Sequence, residues 1–139
     1  MKYQDKLNSV PECPPVGCKK EQITAYRFVF DAMNNDSFLP VGIMDPSRID
    51  NAREERIKCS MYALSMFVSE EKAMKHFNSL KKKNPNIAKS IGNNLAKGTI
   101  YPKDGLCSKP NRKGHFDMFE HINTDLIPNF SISRQIEKV

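Results

Sequence analysis

Tryptophan is absent from this 139-residue chain, while proline occurs nine times. That imbalance argues for a small, loop-rich domain rather than a helical bundle, because proline removes a backbone donor and fixes φ. No apolar run approaches the ~20 residues needed to span a bilayer. The opening residues MKYQDKLNSV also lack the apolar stretch of a secretory signal. These gaps predict a soluble, intracellular and specifically cytoplasmic protein. There is no Gly-rich phosphate loop, no Gly-x-Ser-x-Gly and no His-Glu-x-x-His. P-loop nucleotide chemistry, a nucleophile-elbow hydrolase and a helix-borne zinc protease each lose their signature. Internal repeats and low-complexity tracts are missing as well.

What is present suffices for one domain. Apolar residues make up 39% of the chain, with 8 Phe and 4 Tyr, enough for a single core at this length. Four cysteines without a secretory signal read as thiols of a reducing compartment. Cys59, beside the main apolar run, is then expected to be a small buried hydrophobe. Cys13 and Cys18 could pair under oxidising conditions. Charge is unevenly placed. From Lys72 to Lys113 there are eleven Lys/Arg and one acid, Asp104; the rest of the chain holds eleven bases and fifteen acids. Such polarisation bears on partners, not on fold.

Along the chain, residues 1–22 have no periodic pattern and contain PECPPVGC, which predicts an extended arm or loop. In TAYRFVFD the aromatics Tyr26, Phe28 and Phe30 alternate, the pattern of a strand. MNNDSFLPVGIM is a connection. Asp45-Pro46 then has the form of a helix start, with a helix expected through about Lys58. Ala63–Val68 is a short apolar run, read as a buried strand. Ser69 is a good N-cap, Glu70 and Glu71 suit the positive end of a helix, and Ala73, Phe77 and Leu80 mark its buried side. Lys81, Lys82 and Lys83 suit the other end, and Asn84-Pro85 stops it. A short helix over 86–92, a strand over 94–100, a turn at 102–105, a basic loop KPNRKG and a strand in HFDMFE follow. The tail from His121 is expected to dock in part. Together these predict an α+β domain over 23–139, with a short mixed or antiparallel sheet packed against two or three helices. Leu64, Met66, Phe67 and Phe77 are the candidate core.

Three constellations offer chemistry. The first is the basic segment 72–113, with Lys81, Lys82, Lys83, Lys109, Arg112 and Lys113 as candidate contacts to the phosphates of a nucleic acid or to an acidic partner protein. The alternative for these lysines is an ordinary solvated surface, since no recognition-helix or RNA-binding motif accompanies them. The second is zinc: Cys107, His115 and His121 with Cys13 or Cys18 supply the right donor types. Their spacing lacks the paired short knuckles of structural sites, so the expectation is no metal and no cofactor. A Cys–His dyad of Cys59 with His115 or His121 has no local signature. The third is an order, Arg27, Ser65, Glu120, that resembles the Arg–Ser–Glu ADP-ribosyltransferases. That resemblance implies an enzyme alternative in which Arg27 holds the NAD pyrophosphate, Ser65 orients the site and Glu120 stabilises charge on the ribose. The stretches ALSMF and FDMFEH depart from the Ser-Thr-Ser and Glu-x-Glu elements of that group.

A wider pattern links Cys13-Pro14-Pro15, Tyr26–Val29, a Phe-Leu-Pro connection and Cys59 ahead of Leu64-Ser65-Met66-Phe67. It continues through Leu95-Ala96-Lys97-Gly98, Gly105 and His115-Phe116. Over roughly residues 13–119 it resembles a group of small, functionally uncharacterised bacterial proteins of accessory or mobile regions. The usual later motif there is closer to His-His-x-Trp-Trp, where this chain reads HFDMF. The resemblance implies a compact bacterial domain serving a defence or toxin–antitoxin system. The sequence therefore predicts an interaction module that uses its basic region, with the ADP-ribosyltransferase-like enzyme as the alternative.

Overall fold

A computed structural model describes residues 1–137. Six strands form one sheet in the order β4-β5-β2-β1-β3-β6, every neighbouring pair antiparallel. They are β1 (Ile23–Val29), β2 (Leu64–Phe67), β3 (Asn94–Ile100), β4 (Gly105–Cys107), β5 (His115–Glu120) and β6 (Phe130–Gln135). Helices α1 (Gln4–Leu7), α2 (Val41–Met44), α3 (Ser47–Asn51), α4 (Glu55–Ser60), α5 (Glu70–Lys83) and α6 (Ile87–Ile91) complete an α+β fold, as expected. Among the described residues no helix is long and apolar enough to cross a membrane.

The sheet's two faces differ in what covers them. On one face Ala25, Val29, Leu64, Met66, Ala96, Phe116 and Met118 pack under Phe38, Leu126 and Phe130. The opposite face is covered in two pieces. Over β1, β2 and β3, helices α5 and α6 bring Ala73, Phe77 and Ala88 onto Phe28, Phe67 and Leu95. Over β5, the N-terminal arm and α4 bring Leu7, Val10 and Cys59 onto Phe119. All four candidate core residues are buried.

α5 follows its sequence closely. The Ser69 hydroxyl accepts from the Lys72 N–H at 3.1 Å, Glu70 and Glu71 fill the first turn, and three lysines fill the last. Elsewhere the structure corrects the reading. The helix expected from Asp45 to Lys58 is two short helices separated by Ala52–Glu54. The preceding connection contains α2. The arm expected to be extended carries α1, and its Leu7 and Val10 are buried. Cys59 is not a free hydrophobe: it is disulfide-bonded to Cys13, whereas Cys18 and Cys107 are free thiols. Pairing between Cys13 and Cys18 is thereby excluded. The β4 strand begins where the sequence predicted only a turn.

Candidate functional site

Register and alternation decide which side chains meet. Ser65 stands opposite Asp117, and Phe67 opposite His115, across the β2–β5 ladder. Because side chains alternate along a strand, Ser65, Phe67, His115, Asp117 and Phe119 all project to the doubly covered face. Phe67 belongs to the cluster under α5, and Phe119 to the cluster under the arm. Between the two apolar covers the sheet presents Ser, His and Asp.

These three side chains interact. His115 Nε2 lies 3.0 Å from Ser65 Oγ and 3.9 Å from Asp117 Oδ1. Both contacts fall on the same ring nitrogen, so a Ser–His–Asp relay, which needs the carboxylate on the other nitrogen, is not formed. A second imidazole adjoins them. The rings of His76, on α5, and His115 lie 5.1 and 5.4 Å from the Phe67 ring centre. Burial pulls both histidines below their ordinary pKa. For His76 the charges of His115 and Lys113 act in the same direction, whereas Asp117 partly restores His115. Ser65 itself is exposed, so the cluster opens to solvent.

Asp117 is the strained member. Burial raises its pKa above the usual carboxylate value, only partly offset by His115, the Ser60 hydroxyl and Arg56. Its buried Oδ1 has no hydrogen-bond partner among the described residues. Holding an ionised carboxylate in this buried position costs stability that a neutral amide avoids, so Asp117→Asn is expected to stabilise the protein by about 1 kcal/mol near pH 7. The folded state holds this proton more tightly than the unfolded state. The wild-type protein therefore recovers stability as pH falls toward the raised pKa, and the advantage of the asparagine variant shrinks with it. Urea titrations near pH 7 and pH 5 check this; a variant less stable than wild type at both values contradicts it.

The basic rim is built by one loop. Lys109–Lys113 joins β4 to β5, and its end is pinned to the start of α5. Val68 N–H donates to the Gly114 carbonyl at 2.9 Å, and Asn111 Oδ1 accepts from the N–H groups of Lys113 and His115. Gly114 has φ +74°, and a Cβ there would lie 2.8 Å from Lys72 Cγ. Only glycine allows this approach. The loop that carries Lys109, Arg112 and Lys113 thus ends against Lys72. From there a stripe of α5 runs through His76 and Ser79 to Lys83, positions that share a helix face.

Of the six predicted contacts, Lys109, Arg112 and Lys113 lie exposed in one loop. Lys82 and Lys83 lie exposed at the far end of α5, about 15 Å away at ~1.5 Å per residue. Lys81 is paired with Glu137. The ADP-ribosyltransferase trio does not converge. Arg27 lies on the face opposite Ser65, because Tyr26 pairs with Phe67 and Arg27 is its neighbour in the strand. Its guanidinium donates to the main-chain oxygens of Ser37, Ser65 and Leu39. Glu120, an odd number of residues from Asp117, also faces away from Ser65. It is held by Lys2 at 2.7 Å beside a cavity of about 330 Å³. The Ser65 hydroxyl therefore meets His115, on the opposite side of the sheet from the Arg27 and Glu120 side chains. The zinc set does not assemble either. His121 is bound to the Lys103 carbonyl at 3.0 Å, and among the described residues no three His, Cys, Asp or Glu side chains are placed to share a metal ion. Cys59, in its disulfide, cannot serve a dyad. No protein-family model matches the chain, and no curated protein or solved structure matches it either.

Proposed function

We propose that this protein binds nucleic acid along the face formed by the Lys109–Lys113 loop and the Lys72–Lys83 stripe of α5. The observation that carries this reading is the docking of the loop on Lys72. It sets the end of a loop bearing three bases against a helix bearing others, from distant parts of the sequence, and the stripe residues Lys72, His76, Ser79 and Lys83 include no acid. The ~15 Å between the loop and the helix end would accommodate a few successive phosphates of an extended strand. An acidic protein would have to match that spacing with carboxylates; a polynucleotide has it in its backbone. The defence or toxin–antitoxin setting rests on the sequence resemblance alone, and the binding reading stands without it.

Fluorescence anisotropy with a short single-stranded oligonucleotide tests the reading. Affinity is expected to fall at least tenfold between about 50 and 200 mM salt, since each phosphate contact adds ~0.7 to the log–log slope. Replacing Lys109, Arg112 and Lys113 by Gln should reduce that slope by about 2. Lys81→Gln should change little, because its ammonium is already paired with Glu137. Absence of binding at about 50 mM salt removes the proposal. Saturable binding to an acidic peptide but not to oligonucleotides transfers the surface to a protein partner.

A further inference from the structure

A ligand lying along the basic stripe passes over His76, which shares the Phe67 ring with His115 and its partner Ser65. We infer that this cluster cleaves single-stranded RNA, with the substrate's own 2′-hydroxyl as nucleophile and the two imidazoles as general base and general acid. The inference rests on the nucleic-acid reading above and adds a reaction to it.

The geometry supplies the parts. Ser65 Oγ, exposed and 3.0 Å from His115 Nε2, shows that a hydroxyl fits on that nitrogen. Rotation of the serine side chain vacates the position for a ribose hydroxyl. His76 stands against the same Phe67 ring as His115, the two imidazoles 5.1 and 5.4 Å from its centre, and the charges of His115 and Lys113 are felt at His76. A phosphodiester seated there has its negative charge beside Lys113, a base on one side and an acid on the other.

The step balances without a further reactant. Neutral His115 takes the 2′-hydroxyl proton as the oxygen attacks phosphorus. The O2′–P bond forms and the P–O5′ bond breaks. Protonated His76 gives its proton to the departing O5′. The products are a 2′,3′-cyclic phosphate and a free 5′-hydroxyl, and the two histidines exchange protons with water to reset. One imidazole must be neutral and the other charged, and burial holds both below the ordinary histidine value of 6.5. The rate should therefore follow a bell with its maximum on the acid side of pH 6.5. The groups that shape this bell are Asp117 on β5, Lys113 in the loop, and Arg56 and Ser60 on α4, which act through Asp117.

The test uses the full chain with a labelled single-stranded RNA and its 2′-O-methyl counterpart across roughly pH 5 to 8. Cleavage of RNA only, with cyclic-phosphate ends identified by mass spectrometry, is expected. His115→Asn and His76→Asn should each lower the rate by about 10² or more, while binding of the 2′-O-methyl strand changes less than about twofold. Ser65→Ala should retain cleavage. Intact RNA under conditions where the 2′-O-methyl strand binds overturns the reaction and leaves the binding surface standing. Failure of either strand to bind overturns both. Cleavage that survives the double histidine variant, that extends to the 2′-O-methyl strand, or that vanishes in Ser65→Ala also overturns the mechanism.

Discussion

Arg27→Leu is expected to destabilise the fold by about 3 kcal/mol, lowering the thermal midpoint by roughly 10 °C. Its guanidinium reaches the carbonyls of Ser37 at 2.8 Å, Ser65 at 2.9 Å and Leu39 at 3.5 Å, and it stands 5.8 Å from the Phe38 ring centre. β1 and β2 pair at a single position, Tyr26 with Phe67, and the Arg27 side chain bridges to the Ser65 carbonyl beyond it. Leucine removes all five donors and leaves those oxygens to compete for whatever water can enter. Lysine should restore only part of the loss, because one ammonium cannot serve three carbonyls in a fork.

Although Arg27 retains some accessible area, its guanidinium is enclosed by protein. Burial pulls its pKa from 12.5 to about 10, against a smaller raising effect of Glu120. The folded state thus binds this proton less tightly than the unfolded chain, yet both remain protonated well below pH 10. The stability lost in Arg27→Leu should therefore be constant across roughly pH 5 to 9. Urea denaturation at several pH values checks this. A loss under about 1 kcal/mol would show that solvent already serves the carbonyls.

The contrast between Arg27 and Ser65 shows where sequence reading ends. Aromatic alternation in TAYRFVFD placed β1, and the Ser69 cap with its acids and terminal lysines placed α5, because both signals are local. The HFDMFE alternation already put His115 and Asp117 on one side of a strand. Their meeting with Ser65 depends on register between strands fifty residues apart, which no local periodicity encodes. An Arg–Ser–Glu order says nothing of faces, and one residue of parity sends Arg27 and Ser65 to opposite sides. No local signal singled out His76 on α5. Its approach to Phe67 and His115 follows from how the helix sits on the sheet.

The same limit governs Cys59, and it leads to the second large expected effect. Reduction of Cys13–Cys59, or Cys13→Ser, should cost about 4 kcal/mol, because the bond closes a loop between residues 46 apart and restricts the unfolded chain. A drop in the thermal midpoint of roughly 10 °C under reductant is the expected readout. In the folded protein the bond ties the arm to the C-terminal part of α4, and Leu7, Val10 and Phe119 pack around it. Reduction should therefore expose the arm to limited proteolysis ahead of the sheet. Because α4 carries Ser60 and Arg56 toward Asp117, loosening it should also change the acid limb of the cleavage profile. A cytoplasmic protein would meet this loss continually, since disulfides persist in oxidising surroundings. A midpoint unchanged by reductant, with the arm still protected, would show instead that Leu7 and Val10 hold the arm by packing alone.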